Sequence, residues 1–218
     1  MKILIACPTY DGKKYALKEW VKALKKLEFA KHKVDFLVVD TSKNEDYKKE
    51  LENCGLRVER INLEENPKDN VLNARNLIRE ICIKEDYDYL FSLEQDVIIE
   101  PNTLLRLLSH NKSFVSGVVY NNLPYGDKIK SLPMIYVEHP KDPTGLWYIG
   151  EKELEANHIL QVKGVSLSCV LIHKLILEKV KFRRYEKTWD DLPFCEDTIK
   201  NGFNIYVDPT IKPKHLHE

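Results

Sequence analysis

The stretch DYLFSLEQDVIIEP, residues 88–101, runs an apolar segment into Glu94-Gln95-Asp96 and then directly into a second apolar segment closed by Glu100-Pro101. A short, nearly continuous apolar run carrying tyrosine and phenylalanine reads as a strand buried on both faces, the form strands take in a parallel sheet. In open parallel sheets the carboxyl ends of the strands border the ligand crevice. Two carboxylates placed there fall on the rim of a site and need not enter the core, provided that the flanking sequence supplies parallel neighbours.

Three neighbours precede it. KILIAC (2–7) is a β-branched run expected to stop at Pro8, VDFLVVD (34–40) repeats the signature, and LRVERINL (56–63) offers a third strand. Helices are expected between them. Leu17, Trp20, Val21, Leu24 and Leu27 recur at helical spacing with lysines opposite, which predicts an amphipathic helix from about Lys13 to Lys31. NEDYKKELENCG (44–55) is a polar helix ending at a C-cap glycine, Gly55. A further helix opens between Pro67 and Asn70 and turns Val71, Ala74, Ile78 and Ile81 inward. Strands alternating with helices predict a doubly wound α/β sheet, and the residues at its carboxyl edge are Pro8-Thr9-Tyr10, Asp40 and Glu94-Gln95-Asp96.

Beyond Asp96 the pattern changes. NTLLRLLSH (102–110) is a helix begun by Pro101, and FVSGVVY (114–120) is a strand. Residues 121–158, rich in Pro, Gly, Asn and Tyr, are expected to form loop and short strand; Tyr125, Trp147 and Tyr148 there either cover a ligand or form a small satellite core. Residues 158–180 read as two strand segments broken at Gly164 and then a helix. The tail gives a helix ending at Gly202, the strand FNIYV (203–207) and an extended polar end.

At 218 residues the chain suits one domain, and 34 basic against 34 acidic residues leave no one-sign field to draw a nucleic acid. The five cysteines are odd in number, widely spaced and without a CxxC pair, as expected of reduced intracellular thiols. No apolar run approaches the roughly 20 residues of a membrane span. These features together predict a soluble, cytoplasmic protein.

Acids separated by one residue on the turn leaving a strand can share a hard divalent cation whose other ligands are water and phosphate oxygens; the plain alternative is an exposed polar turn. Asp40 suits either a nucleobase N–H or ribose hydroxyl, or an N-cap. Arg75 in NARN suits phosphate or a base edge, or else a salt bridge. Asp190-Asp191 precedes a helix, where capping explains one of the two. His215 and His217 share one side of an extended segment, fit for a metal or simply solvated. GxGxxG, GxxxxGK[ST] and GxSxG are all absent, which removes hydride transfer, Walker-type ATP hydrolysis and serine hydrolysis.

The order of these motifs resembles the GT-A-fold nucleotide-sugar glycosyltransferases, particularly the family-2-like group. The matching elements are the turn Pro8-Thr9-Tyr10, the strand ending at Asp40 before Ser42, Ala74-Arg75-Asn76, and the DxD element as Glu94-Gln95-Asp96. They continue through Ser116-Gly117 to Tyr120, KGVSLSCVLIHK (163–174), Asp190-Asp191 with Phe194-Cys195 and Gly202, and NIYVDP before His215. Glutamate at 94, aspartate at 190 and threonine at 41 depart from the usual pattern. Gly202 sets the register that makes Asp190-Asp191 the acidic pair and Glu196-Asp197 a decoy.

The resemblance implies one GT-A, Rossmann-like domain over residues 1–218, with a mostly parallel central sheet flanked by helices. Residues 1–100 would form the nucleotide-binding half and residues 101–218 a small acceptor-side half. It implies transfer of a sugar from a UDP- or GDP-sugar to a hydroxyl of a sugar, lipid or protein acceptor. Pro8, Thr9, Tyr10, Asp40, Arg75 and Gln95 would bind the nucleotide. Glu94, Asp96 and His215 would hold Mn²⁺ or Mg²⁺, leaving His217 surplus, and Asp191 with Asp190 would be catalytic. The alternatives are a sugar-nucleotide-binding protein without turnover and a sugar nucleotidyltransferase, for which PTYDGKKY (8–15) is a poor glycine-rich basic loop.

Overall fold

The computed structural model describes residues 1–125 and 127–217. Its first half is β1 (Lys2–Thr9), α1 (Lys14–Leu24), β2 (Lys33–Asp40), α2 (Asp46–Asn53), β3 (Arg57–Arg60), α3 (Pro67–Lys84) and β4 (Tyr89–Leu93). The next segment is β5 (Val97–Ile98), α4 (Thr103–Ser109), β6 (Phe114–Gly117), β7 (Tyr120–Tyr125), β8 (Lys128–Pro133), β9 (Ile135–His139) and β10 (Asp142–Tyr148). Last come β11 (Leu160–Val162), β12 (Gly164–Val165), β13 (Cys169–His173), α5 (Lys174–Lys179), α6 (Asp191–Lys200), β14 (Ile205–Asp208) and β15 (Lys214–His215).

Eight strands form the central sheet in the order β11-β14-β6-β13-β4-β1-β2-β3. Six of them point one way, because β3, β2, β1 and β4 pair in parallel and β6 pairs in parallel with β14. Antiparallel β13 separates β4 from β6, and antiparallel β11 closes one edge. Alternation along β1 splits the core into two layers. Leu4 and Ala6 face Ala74 and Ile78 of α3, whereas Ile3, Ile5 and Cys7 face Trp20 and Leu24 of α1 with Leu104 and Leu107 of α4. Asn66 caps α3 by accepting from Lys68 N at 3.0 Å, with Pro67 at the first helical position. Gly55 and Gly202 end α2 and α6 with φ of +85° and +83°, the left-handed region a side chain disfavours.

Three expectations are corrected. β1 does not stop at Pro8 but reaches Thr9; the ladder to β4 ends at the Ala6–Ser92 pair, so beyond it a residue without an N–H is tolerated on that side. α1 ends at Leu24 and not near Lys31, because the chain leaves to bond Glu28 N to Pro101 O at 2.8 Å and reverses at Ala30, φ 45°. Residues 121–158 are mainly strand: β7 pairs with β8, and β9 pairs with both β10 and β12. No helix among the described residues is long and apolar enough to cross a membrane.

Candidate active site

A cleft of about 740 Å³ opens at the carboxyl ends of β1 and β4. Its near side carries Pro8, Thr9, Tyr10, Lys13, Arg75, Glu94 and Asp96, and its far side carries Tyr136, Tyr148, Trp189, Asp190 and Asp191, with His215 and His217 at the rim. The tail reaches the cleft because β15 pairs with β5, His215 opposite Val97, and Leu216 N bonds Asp96 O at 2.8 Å. The turn after β4 and the C-terminal segment are therefore stitched together, and the acid and the imidazole become neighbours across 119 residues of sequence.

Each acid on the rim has a cationic partner. Lys13 Nζ lies 2.9 Å from the Asp96 carboxylate and 3.5 Å from Glu94 Oε2. Arg75 donates to Glu94 Oε1 at 2.8 Å and to Ser92 Oγ at 3.2 Å, and its Nε sits 2.9 Å from Asp190 Oδ2. Burial raises the pKa of Glu94, but Lys13 and Arg75 outweigh it and hold the carboxyl below its ordinary value. Burial likewise opposes ionisation of Asp96, yet the contacts from His215 and Lys13 bring that carboxyl down to about 2.

His215 Nδ1 lies 2.9 Å from the Tyr120 carbonyl. A carbonyl only accepts, so Nδ1 carries the proton and Nε2 is left facing Asp96 Oδ2 at 3.5 Å. Neutral, that nitrogen has a lone pair for a cation; protonated, it pairs with the carboxylate. Among the described residues no three His, Cys, Asp or Glu side chains are grouped as a metal site, and the Lys13 ammonium stands within ion-pair distance of both acids. By ligand type alone, two carboxylates and one imidazole are groups that a divalent ion such as Mn²⁺ accepts.

Among the described residues Asp191 is the cleft carboxylate with no ion-pair partner, whereas Glu94, Asp96 and Asp190 each have one. It opens α6, and Leu192 N donates to its Oδ1 at 3.1 Å. Burial chiefly, and then the charge of Asp190, push its pKa up to about 6 against the pull of Arg75. Asp190 is buried, and burial raises its pKa too while Arg75 opposes the rise. Gly164 allows α6 to pack close, since a Cβ there would stand 2.8 Å from Leu192 Cδ2.

The remaining expected residues divide. Thr9 and Tyr10 stand on the lining, and Tyr10 is half exposed. Asp40 and Gln95, expected to touch nucleotide, are fully buried and off the lining. Asp40 Oδ1 accepts from Ser42 N at 2.9 Å and Ser42 Oγ at 2.6 Å, and its Oδ2 lies 3.4 Å from Arg60 Nε. Gln95 is bonded to Thr9 Oγ1, to the Lys13 carbonyl and to Tyr47 Oη. Both brace the loops that carry Thr9, Tyr10 and Lys13. Arg75 is spent on carboxylates and positions them instead of reaching outward. Glu196 and Asp197 sit in surface pairs with Arg183 and Lys200, away from the cleft.

Tyr148 reaches the cleft with its ring 5.1 Å from Tyr136, while Trp147 turns away onto His139. The side chain of Tyr125 lies outside the described residues. Sequence reasoning missed Lys13 and Trp189. Both had a usable signal: Lys13 sits four residues past the end of β1, and Trp189 directly precedes the acidic pair.

This mostly parallel sheet, with its cleft at the carboxyl edge, matches the GT-A fold of the solved structures the chain is similar to. No protein-family model and no curated protein sequence matches the chain. Among solved structures, it is similar to GalNAc-T7 with UDP, GalNAc and Mn²⁺, with a TM-score of 0.69 and 13% identity over 100% of this chain and 44% of that one. It is similar also to S. aureus TarS 1-349 in complex with UDP-GlcNAc, with a TM-score of 0.59 and 17% identity over 100% of this chain and 60% of that one. A197 from STIV follows with a TM-score of 0.54 and 16% identity, over 100% and 87%. The chain thus spans 60% of TarS 1-349 and under half of GalNAc-T7.

Proposed function

We propose that the protein transfers a sugar from a nucleoside-diphosphate sugar to an acceptor hydroxyl. The supporting observation is the coexistence, in one cleft of a GT-A fold, of a charge-paired acid cluster and a separate carboxylate with a pKa of about 6. The UDP-GlcNAc and UDP bound in the similar TarS and GalNAc-T7 structures favour a UDP-sugar over a GDP-sugar.

Thr9 and Tyr10 receive the nucleoside where β1 ends, with the exposed Tyr10 ring available to a base. The diphosphate faces Lys13, Glu94 and Asp96. Glu94, Asp96 and His215 Nε2 are the groups that would hold Mn²⁺ or Mg²⁺, which supplies charge neutralisation for a departing diphosphate. Arg75 keeps Glu94 and Asp190 in register.

The acceptor enters past Tyr136, Tyr148 and Trp189. Asp191 takes the proton of its hydroxyl as the acceptor oxygen bonds to the anomeric carbon, and the electron pair of the broken carbon–oxygen bond leaves on the diphosphate. A double displacement needs a second free carboxylate, and Asp190 is held by Arg75, which supports a single displacement with inversion. Asp191→Asn is expected to abolish transfer while nucleotide binding survives. Full transfer by that variant contradicts the assignment.

A further inference from the structure

Lys13 closes a short 3₁₀ turn, Asp11–Lys13, at the mouth of the cleft. Its side chain is 21% exposed, so its stem is packed and its charge is directed at Glu94 and Asp96. Two carboxylates one residue apart repel each other, and the ammonium between them offsets that repulsion. Among the described residues the only other basic group paired with Asp96 is His215, whose Nε2 lies 3.5 Å from Oδ2. A metal approaching the protein alone must compete with a cation tethered by the chain.

We infer that Lys13 is a displaceable counter-ion: it holds the cation place between Glu94 and Asp96 in the resting protein and hands it over only when a diphosphate is present to receive its ammonium. The part concerning diphosphate rests on the proposed sugar transfer; the competition with a bare metal ion does not. No covalent bond changes at Lys13. One ion pair, ammonium with carboxylate, exchanges for another, ammonium with phosphate oxygen, and the vacated carboxylates take the metal.

The test is a titration of Mn²⁺ alone into the full chain, read by electron paramagnetic resonance. Lys13→Met is expected to bind Mn²⁺ at least about 10-fold more tightly than the wild type, because one positive charge is removed from within ion-pair distance of the ligands. Lys13→Arg keeps the charge and stays weak, and Asp96→Asn added to Lys13→Met removes the gain. Wild-type protein that binds Mn²⁺ as tightly as Lys13→Met overturns the inference, since a merely structural lysine changes stability without changing metal affinity. Should Lys13→Met not fold, stoichiometric Mn²⁺ binding by the wild type without nucleotide, lost in Asp96→Asn, overturns it equally, and its absence supports it. UDP and GDP are added in parallel. A Lys13→Met gain with no effect of either nucleotide upholds the counter-ion and overturns the nucleotide-sugar reading.

Discussion

Arg75→Met removes the one group that bridges the rim acid Glu94 and the buried acid Asp190. The Arg75 and Asp190 side chains are 7% and 4% exposed, so the variant strands a carboxylate with no other ion-pair partner among the described residues. Glu94 is 22% exposed and keeps Lys13, so its share of the loss is small. Breaking one buried pair costs roughly 3–5 kcal/mol, and the lower end, about 3 kcal/mol, applies here. For a chain of this size that corresponds to a fall of roughly 6–12 °C in Tm. The pH dependence has a definite sign. Burial already raises the Asp190 pKa and Arg75 opposes the rise, so the variant raises it further. A carboxyl raised in the folded state retains a proton that the unfolded chain has released, so stability falls as pH rises through the folded pKa. Urea unfolding should therefore show the deficit smallest near pH 5 and largest near pH 8. Asp190→Asn in the Arg75→Met background should recover at least about 1 kcal/mol by removing the stranded charge. A cost below about 1 kcal/mol at pH 7.5, a pH-independent deficit, or no recovery in the double variant refutes the reasoning.

The remaining predictions concern the far side of the cleft. Because the Asp191 pKa is raised to about 6, kcat/KM should climb as pH rises through 6 and level off above it. The same raised pKa costs stability above pH 6, so Asp191→Asn should be more stable than wild type at pH 7.5, by on the order of 1 kcal/mol after solvent screening, with the gap closing below pH 4. Equal unfolding curves at both pH values count against a desolvated carboxylate. Trp189, 51% exposed on the cleft lining beside Asp190, is on the proposed function a surface for the acceptor to stack on. Trp189→Ala should raise the acceptor KM roughly 3- to 10-fold while leaving donor hydrolysis unchanged; a matching loss of donor affinity contradicts that placement.

The parallel half of the sheet was legible because its strands are buried on both faces, and uninterrupted apolar runs such as those in β1, β2 and β4 have few other readings. The hairpins after Tyr120 were not, because β8 is largely exposed on both faces and carries no apolar alternation for a period-of-two reading to find. At the cleft, the acids were legible from their position past β4. What sequence position does not give is the direction a side chain takes. Asp40 and Gln95 lie at the correct strand ends but turn inward, onto Ser42 and Tyr47. Lys13 is separated from Glu94 and Asp96 by 81 and 83 residues, so the pairing exists only once β1 and β4 are side by side. Arg75 had both readings open in the sequence, and burial beside Asp190 favours the salt bridge.

Binding of a sugar nucleotide to this cleft is tested most directly by thermal unfolding of the full chain with UDP-, GDP- and TDP-sugars, each with and without Mn²⁺. A ligand at 100 times its Kd adds about 2.7 kcal/mol to the native state, a rise of roughly 5–10 °C in a chain of this length. At least one of these donors is expected to give such a rise, and Glu94→Gln is expected to diminish it. Unchanged melting with every donor at millimolar concentration, with metal and without, contradicts the assignment of this cleft to sugar transfer.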